Sequence, residues 1–314
     1  VRVSARLATA GGLAAGLGLV VYAGFVRTAA GQRWENAVLA GRAQDETPTA
    51  VHRADGVLAH ITVMSLGAAV GVLVVIGVVR RCPALTAVAV GTVAGSLALS
   101  EVLKRRVLDR PDLVGAPPKL LDNSFPSGHT TIAMSVLFGL ALVVPYRMRG
   151  GVVGVCSLWA AGVGAYTVAA GWHRPSDTIG ADLLVLTVAC GLTAVLARTG
   201  RVRPAPGNRH PLGSLLVVGP LVGLAVLGLG IGGLLAAGSL SRAVPGWSAP
   251  GVAYTAGHAL AAGCSAATTL VLLALLRHCD LGRSRRSPER RSAEPVHRRP
   301  IRHEADGSGV SGMG

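Results

Sequence analysis

Pro126-Ser127-Gly128-His129 stands directly in front of a long apolar segment, with Ser124-Phe125 leading into it. Proline, a small hydroxyl residue and glycine ahead of an apolar run mark a helix N-terminus. Such an end offers unpaired backbone N–H groups and a partial positive charge, which together seat an anion such as phosphate. His129 lies at that seat and can give or take a proton near neutral pH. Two further stretches add to it. Upstream runs Lys104-Arg105-Arg106-Val107-Leu108-Asp109-Arg110-Pro111, a basic stretch; downstream runs Gly171-Trp172-His173-Arg174-Pro175-Ser176-Asp177. Two histidines allow one to act as nucleophile and the other as acid or base. Asp177, four residues after His173, can accept from the second ring N–H and hold one tautomer.

The segments that must position these residues are apolar. The 314 residues are 51% hydrophobic and 14% charged, with a mean hydropathy of +0.53, too little charge to cover a soluble protein of this length. Runs of ~20 apolar residues recur, each enough to cross a hydrocarbon core of ~30 Å. The expected fold is all-α, a polytopic membrane helix bundle. Its spans are predicted at Leu7–Val26, Gly56–Val79, Pro83 to about Leu103, Ser127–Pro145, Gly151–Ala170, Ile179–Leu196, Leu212–Leu235 and Val252–Leu276. Gln32–Asp55 reads as a polar loop of mixed charge that includes Glu35. Residues 1–197 are expected to form a six-helix core, residues 198–276 a basic linker and two extra transmembrane helices, and residues 277–314 a disordered Arg-rich tail.

A net charge of +15 would point to nucleic acid in a soluble protein. Here the arginines cluster in loops and the tail, so topology explains them and no nucleic-acid partner is expected. With eight spans, the N-terminus, Arg80-Arg81, Arg147 and Arg149, the linker and the tail share one face, which the positive-inside rule assigns to the cytoplasm. The loops after spans three and five, which carry the reactive residues, then face outward. Five cysteines without CxxC spacing give no sign of a metal site or disulfide framework. His60 and His258 read as interfacial or helix-contact residues.

Together the three stretches resemble the type 2 phosphatidic acid phosphatase superfamily, integral-membrane lipid phosphatases related in fold to vanadium haloperoxidases. The family pattern is Lys, six residues, Arg-Pro; then Pro-Ser-Gly-His; then Ser-Arg, five residues, His, three residues, Asp. Pro126 to His129, His173, Asp177 and Arg110-Pro111 match it. Lys104 stands one residue too close to Arg110, and Tyr166-Thr167 replace Ser-Arg, leaving Arg174 as the nearest arginine to His173. One lost charge-assisted contact, ~1.5–3 kcal/mol, corresponds to roughly a 10- to 100-fold slower enzyme. The resemblance implies catalytic roles for His173, His129 and Asp177 and phosphate-binding roles for Lys104, Arg110, Ser127 and Gly128, with Arg174 as a substitute. It also implies a hydrolase without metal or cofactor, acting on a lipid phosphate from the extracytoplasmic face of the plasma (inner) membrane, with both termini cytoplasmic. Phosphatidic acid and polyprenyl diphosphates are among the substrates it suggests. A lipid phosphotransferase and a catalytically weakened phospholipid binder use the same residues and remain alternatives.

Overall fold

The computed structural model describes residues 2–43, 48–115, 121–205, 211–241 and 249–282. The predicted tail lies outside them from residue 283 on, as do the side chains of residues 43, 48–53, 203–204, 211–217 and 241. The tail's first residues, 277–282, are instead ordered, because Cys279–Leu281 pair as a strand with Val202–Pro204 and bury Cys279 and Leu281. Ten α-helices are present among the described residues: α1 Arg2–Val21, α2 Ala29–Ala43, α3 Pro48–Ala59, α4 Val63–Val79, α5 Pro83–Val102, α6 Gly128–Val143, α7 Tyr146–Ala169, α8 Pro175–Arg198, α9 Pro211–Ser241 and α10 Ala249–Leu275. The fold is an all-α polytopic bundle. Among the described residues, six helical segments are long and apolar enough to cross a membrane: Arg2–Val26, Pro83–Val107, Tyr146–Ala169, Pro175–Arg198, Val218–Leu240 and Ala249–Leu275. Helices α4 and α6 are apolar but shorter, at 17 and 16 residues. They correspond to predicted spans two and four.

The second predicted span begins late for a local reason. Thr62 accepts from Ser65 N at 3.3 Å while Thr62 N donates to Ser65 Oγ at 2.9 Å, a reciprocal cap that starts a new helix at Val63. The stretch read as a polar loop is also largely helical, since α2 and α3 fill most of Gln32–Asp55. Its charged and polar residues interrupt every apolar run before one grows long enough to signal a span. Even so, the buried side of α2 carries Gln32, Trp34, Glu35 and Val38. Tertiary packing gives α2 a helical role that hydropathy alone does not display.

Helices α6 and α8 form the interior, with Met134, Leu137, Phe138, Val185, Leu186 and Ala189 in one core cluster. Helix α1 lies along α8, close enough that a Cβ on Gly11 would meet Cys190 Cβ at 3.2 Å. Small residues give such approaches between membrane helices. Helix α10 packs on α7, α8, α9 and α2, and its Ala253, Ala256 and Ala261 cluster with Trp34 and Val38.

The two ends of the bundle differ in chemistry. At one end Arg80 donates to Val143 O (2.6 Å) and Leu281 O (2.8 Å). Arg149, read from the sequence as a topological charge, is buried there and donates to Cys279 O at 2.9 Å. A two-stranded antiparallel ribbon, β1 Val202–Pro204 with β2 Cys279–Leu281, closes the same end. The opposite end gathers the C-terminal turn of α5, the N-termini of α6 and α8, and the exit of α1.

Candidate active site

Ser127 caps α6, its Oγ accepting from Thr130 N at 3.4 Å, with His129 one residue inside the first turn. Ser127 N donates to Asp177 O at 2.9 Å, so the N-termini of α6 and α8 are hydrogen-bonded to each other. Two positive helix ends thus meet beside the two histidines. The segment before Ser127 is held by Phe125, whose ring lies directly on Gly180 of α8 and stacks at 5.5 Å on Tyr22.

His173 reaches this place from the α7–α8 turn. Gly171 adopts φ +69° there, and the N–H groups of Trp172 and His173 both donate to Thr167 O at 3.1 Å. Pro175 then opens α8, setting Asp177 in its first turn. Asp177 is fully buried, and its Oδ2 collects three donors: Ser124 Oγ at 2.6 Å, Arg174 N at 3.0 Å and His173 Nδ1 at 3.3 Å. With Nδ1 turned to the carboxylate, Nε2 is the free nitrogen of His173. The side chain is 12% exposed, enough to meet a reactant.

The His129 and His173 rings stand 6.3 Å apart between centroids, edge to face, and Trp172 lies 5.2 Å from His129. A near-attack contact of ~3–3.5 Å and a hydrogen bond of ~2.6–3.2 Å together span a gap of that order. The structure therefore brings His129, His173, Asp177, Ser127 and Gly128 together at one end of the bundle.

The basic residues divide. Arg110 and Arg174 both turn toward Glu35 of α2, Arg110 Nη1 at 3.1 Å and Arg174 Nε at 3.9 Å from its Oε2. Arg174 Nη1 also donates to Ser124 Oγ at 3.1 Å, which joins it to the oxygen that holds His173. Lys104 lies in a π-helical turn, Leu103–Val107, that ends α5, a local insertion common at functional sites. Its carbonyl, with that of Leu108, accepts from Asn123 Nδ2, tying this turn to the segment entering α6. Arg105 pairs with Glu101 on the surface. Thr167, where the family pattern has arginine, is buried and spends its hydroxyl on Gly164 O (2.8 Å) and Thr178 Oγ1 (3.2 Å).

Glu35 and Ser124 are the residues that sequence reasoning passed over as site members. Burial, and secondarily the negative charge of Asp177, push the Glu35 carboxyl up to about 7. Burial also lowers the Arg174 guanidinium below its ordinary value, opposed by the carboxylates of Asp177 and Glu35. The signal for Ser124 was its place beside the Pro-Ser-Gly-His stretch; for Glu35 only its position three residues after Gln32, on one helical face, was available. Gln32 donates to Pro111 O at 2.7 Å and accepts from Leu113 N at 3.3 Å, so that face of α2 grips the Arg110-Pro111 segment. Of the two histidines set aside in the sequence, His60 donates to Gly56 O (2.6 Å) and His258 to Tyr254 O (2.9 Å).

Residues 57–203 match the family model described as the PAP2 superfamily. The matched segment spans α4 to α8, with every residue of the three sequence stretches inside it, whereas Glu35 and α10 lie outside. No curated protein matches the chain, and no solved structure does.

Proposed function

We propose that this chain, whose residues 57–203 match the PAP2 superfamily model and whose described residues include six helical segments long and apolar enough to cross a membrane, is a membrane phosphatase that hydrolyses a lipid phosphomonoester or diphosphate through a phosphohistidine. The observation that carries the reading is the His173–Asp177 pair with His129 opposite it. His173 Nε2 attacks phosphorus, and the lipid alcohol or phosphate leaves as the P–O bond breaks. Asp177 stabilises the imidazolium that forms, while His129 protonates the departing oxygen. His129 then takes a proton from water, whose oxygen attacks the phosphohistidine and releases phosphate. Lys104, Arg110, Arg174, Ser127 and the Gly128 N–H balance the charge on the non-bridging oxygens. No metal is required in this scheme.

A lipid substrate is supported by an apolar groove of about 390 Å³, lined by Ile61, Leu66, Ile132, Val136 and Trp159 with His60. Ile132 and Val136 follow His129 by three and seven residues on one face of α6. A tail lying there stays in the bilayer while its phosphate reaches the histidines. The orientation proposed puts this site on the extracytoplasmic face, opposite the end that carries Arg80 and Arg149.

The test is phosphate release by detergent-purified protein from phosphatidic acid and a panel of polyprenyl diphosphates, with EDTA present, beside His173→Ala. Release by the wild type and loss of at least 1,000-fold in the variant is the expected result, on the order of what removing a nucleophile costs. No release from any lipid, or equal release by the variant, rejects the proposal.

A further inference from the structure

Arg110 and Arg174 come from different parts of the chain, the loop after α5 and the cap of α8, yet both guanidinium groups turn to one oxygen of Glu35. The Glu35 side chain is wholly buried, and those of the two arginines are 4% and 5% exposed. A carboxylate in such a place is expensive unless it organises the charges around it. Its partners here are two residues that the proposed reaction assigns to phosphate. The groups facing it are Arg110 from the α5 loop, and Arg174, Ser176 and Asp177 from the start of α8. Its own helix adds Gln32, which fastens the backbone on both sides of Asp112.

We infer that Glu35 is a positioning residue of the phosphate seat, drawing Arg110 and Arg174 together so that Arg174 serves where Thr167 leaves the family's second arginine absent. The inference rests on the proposed phosphatase reading and deepens it. Aim and charge act oppositely in this arrangement. As a hydrogen-bond acceptor Glu35 fixes Arg110 at 3.1 Å and holds Arg174 nearby at 3.9 Å; as an anion it opposes the phosphate they are to hold. Protonation of the carboxyl keeps one acceptor oxygen while removing the opposing charge. Two substitutions separate these contributions. Glu35→Gln keeps an acceptor and removes the charge, whereas Glu35→Ala removes both.

Sulfate is the probe, because it is tetrahedral and keeps its charge across the pH range used. Its binding to the full chain in detergent is measured by calorimetry for wild type, Glu35→Gln and Glu35→Ala at pH 6 and pH 8. The expected result is a sign reversal: at pH 8 Glu35→Gln binds sulfate several-fold more tightly than wild type, and Glu35→Ala about 10-fold more weakly. At pH 6 the gain of Glu35→Gln shrinks toward nothing, since the wild-type carboxyl is then protonated as well. A role in folding alone would move both variants the same way, and that outcome, or no change in either, overturns the inference. Sulfate binding is read without turnover. Reversal of sign with no lipid hydrolysed would leave Glu35 in place and reject the phosphatase reading; no sulfate binding by the wild type would reject both.

Discussion

His173 keeps one ring nitrogen for chemistry because Asp177 occupies the other, and Asp177 can do so because Ser124 and the Arg174 N–H share the same carboxylate oxygen. Asp177→Asn retains the shape but can present an N–H where an acceptor is needed. It is expected to lower kcat by about 100-fold or more with little change in KM, as loss of a tautomer-fixing acid does elsewhere; steady-state phosphate release measures this. Ser124→Ala leaves the carboxylate and removes one donor, and is expected to cost only a few-fold. Glu35 gives a stability counterpart. Its carboxyl is raised from 4.5 to about 7 in the folded chain, so the folded state binds the proton more tightly than the unfolded one. That stabilisation is complete below pH ~4.5 and is lost as pH rises through about 7. The midpoint of thermal unfolding of the wild type should therefore fall relative to Glu35→Gln between pH 5 and pH 8. At this scale the sequence displayed His129, His173 and Asp177 because their spacing is local, within one turn or one loop. The Glu35 contacts bridge 75 residues to Arg110, and no local spacing announces a contact of that range.

Helix α2 is the element on which the site leans from outside the matched segment. One side grips the Arg110-Pro111 segment, and another packs on α10, where a Cβ on Gly257 would meet Pro175 Cγ at 2.9 Å and Val38 Cγ1 at 3.0 Å. Gly257→Leu should therefore disturb α2 and the first turn of α8 together. Overpacking of this kind costs ~1–3 kcal/mol, and the expected result is a lower unfolding midpoint with a loss of activity larger than the loss of folded protein. Gly180 makes the same point within the matched segment, since the Phe125 ring occupies the space a side chain would need. Gly180→Val should displace Phe125 and with it Ser124, lowering phosphate release at least 10-fold; the ratio of activity to folded protein checks it. Hydropathy placed the apolar helices to within a turn at most ends, because a run of apolar residues is a strong signal. It missed α2, whose charged and apolar residues give no such run, and it overran the start of α4, where a Thr62–Ser65 cap decides the boundary.

Across the whole molecule, the arginine contacts of Arg80 and Arg149 and the ribbon lie at one end, and the histidines at the other. Arg80 and Arg149 thus stand away from the histidines, whereas Arg110 and Arg174 stand with Glu35 and Ser124 at the histidine end. The proposed orientation predicts that a cysteine placed at Asp122, beside the entrance to α6, reacts in intact cells with a membrane-impermeant maleimide. One placed at Met148, in the first turn of α7, should react only after the cells are opened. Labelling in the reverse order would invert the topology. The charge bias that suggested this arrangement was legible because it accumulates over many loops, whereas the joining of α10 to α2 depends on alanines and glycines that any membrane helix could carry.

The placement of α10 bears on how the molecule is made. Helix α2 is synthesised well before α10, yet the surface that receives Trp34 and Val38 belongs to that later helix. Until α10 has been inserted, Glu35 lacks the support that seats it between the arginines. The nascent chain therefore presents both histidines before the helix that packs on α2, and on the proposed reading the phosphate seat is complete only once α10 is in place.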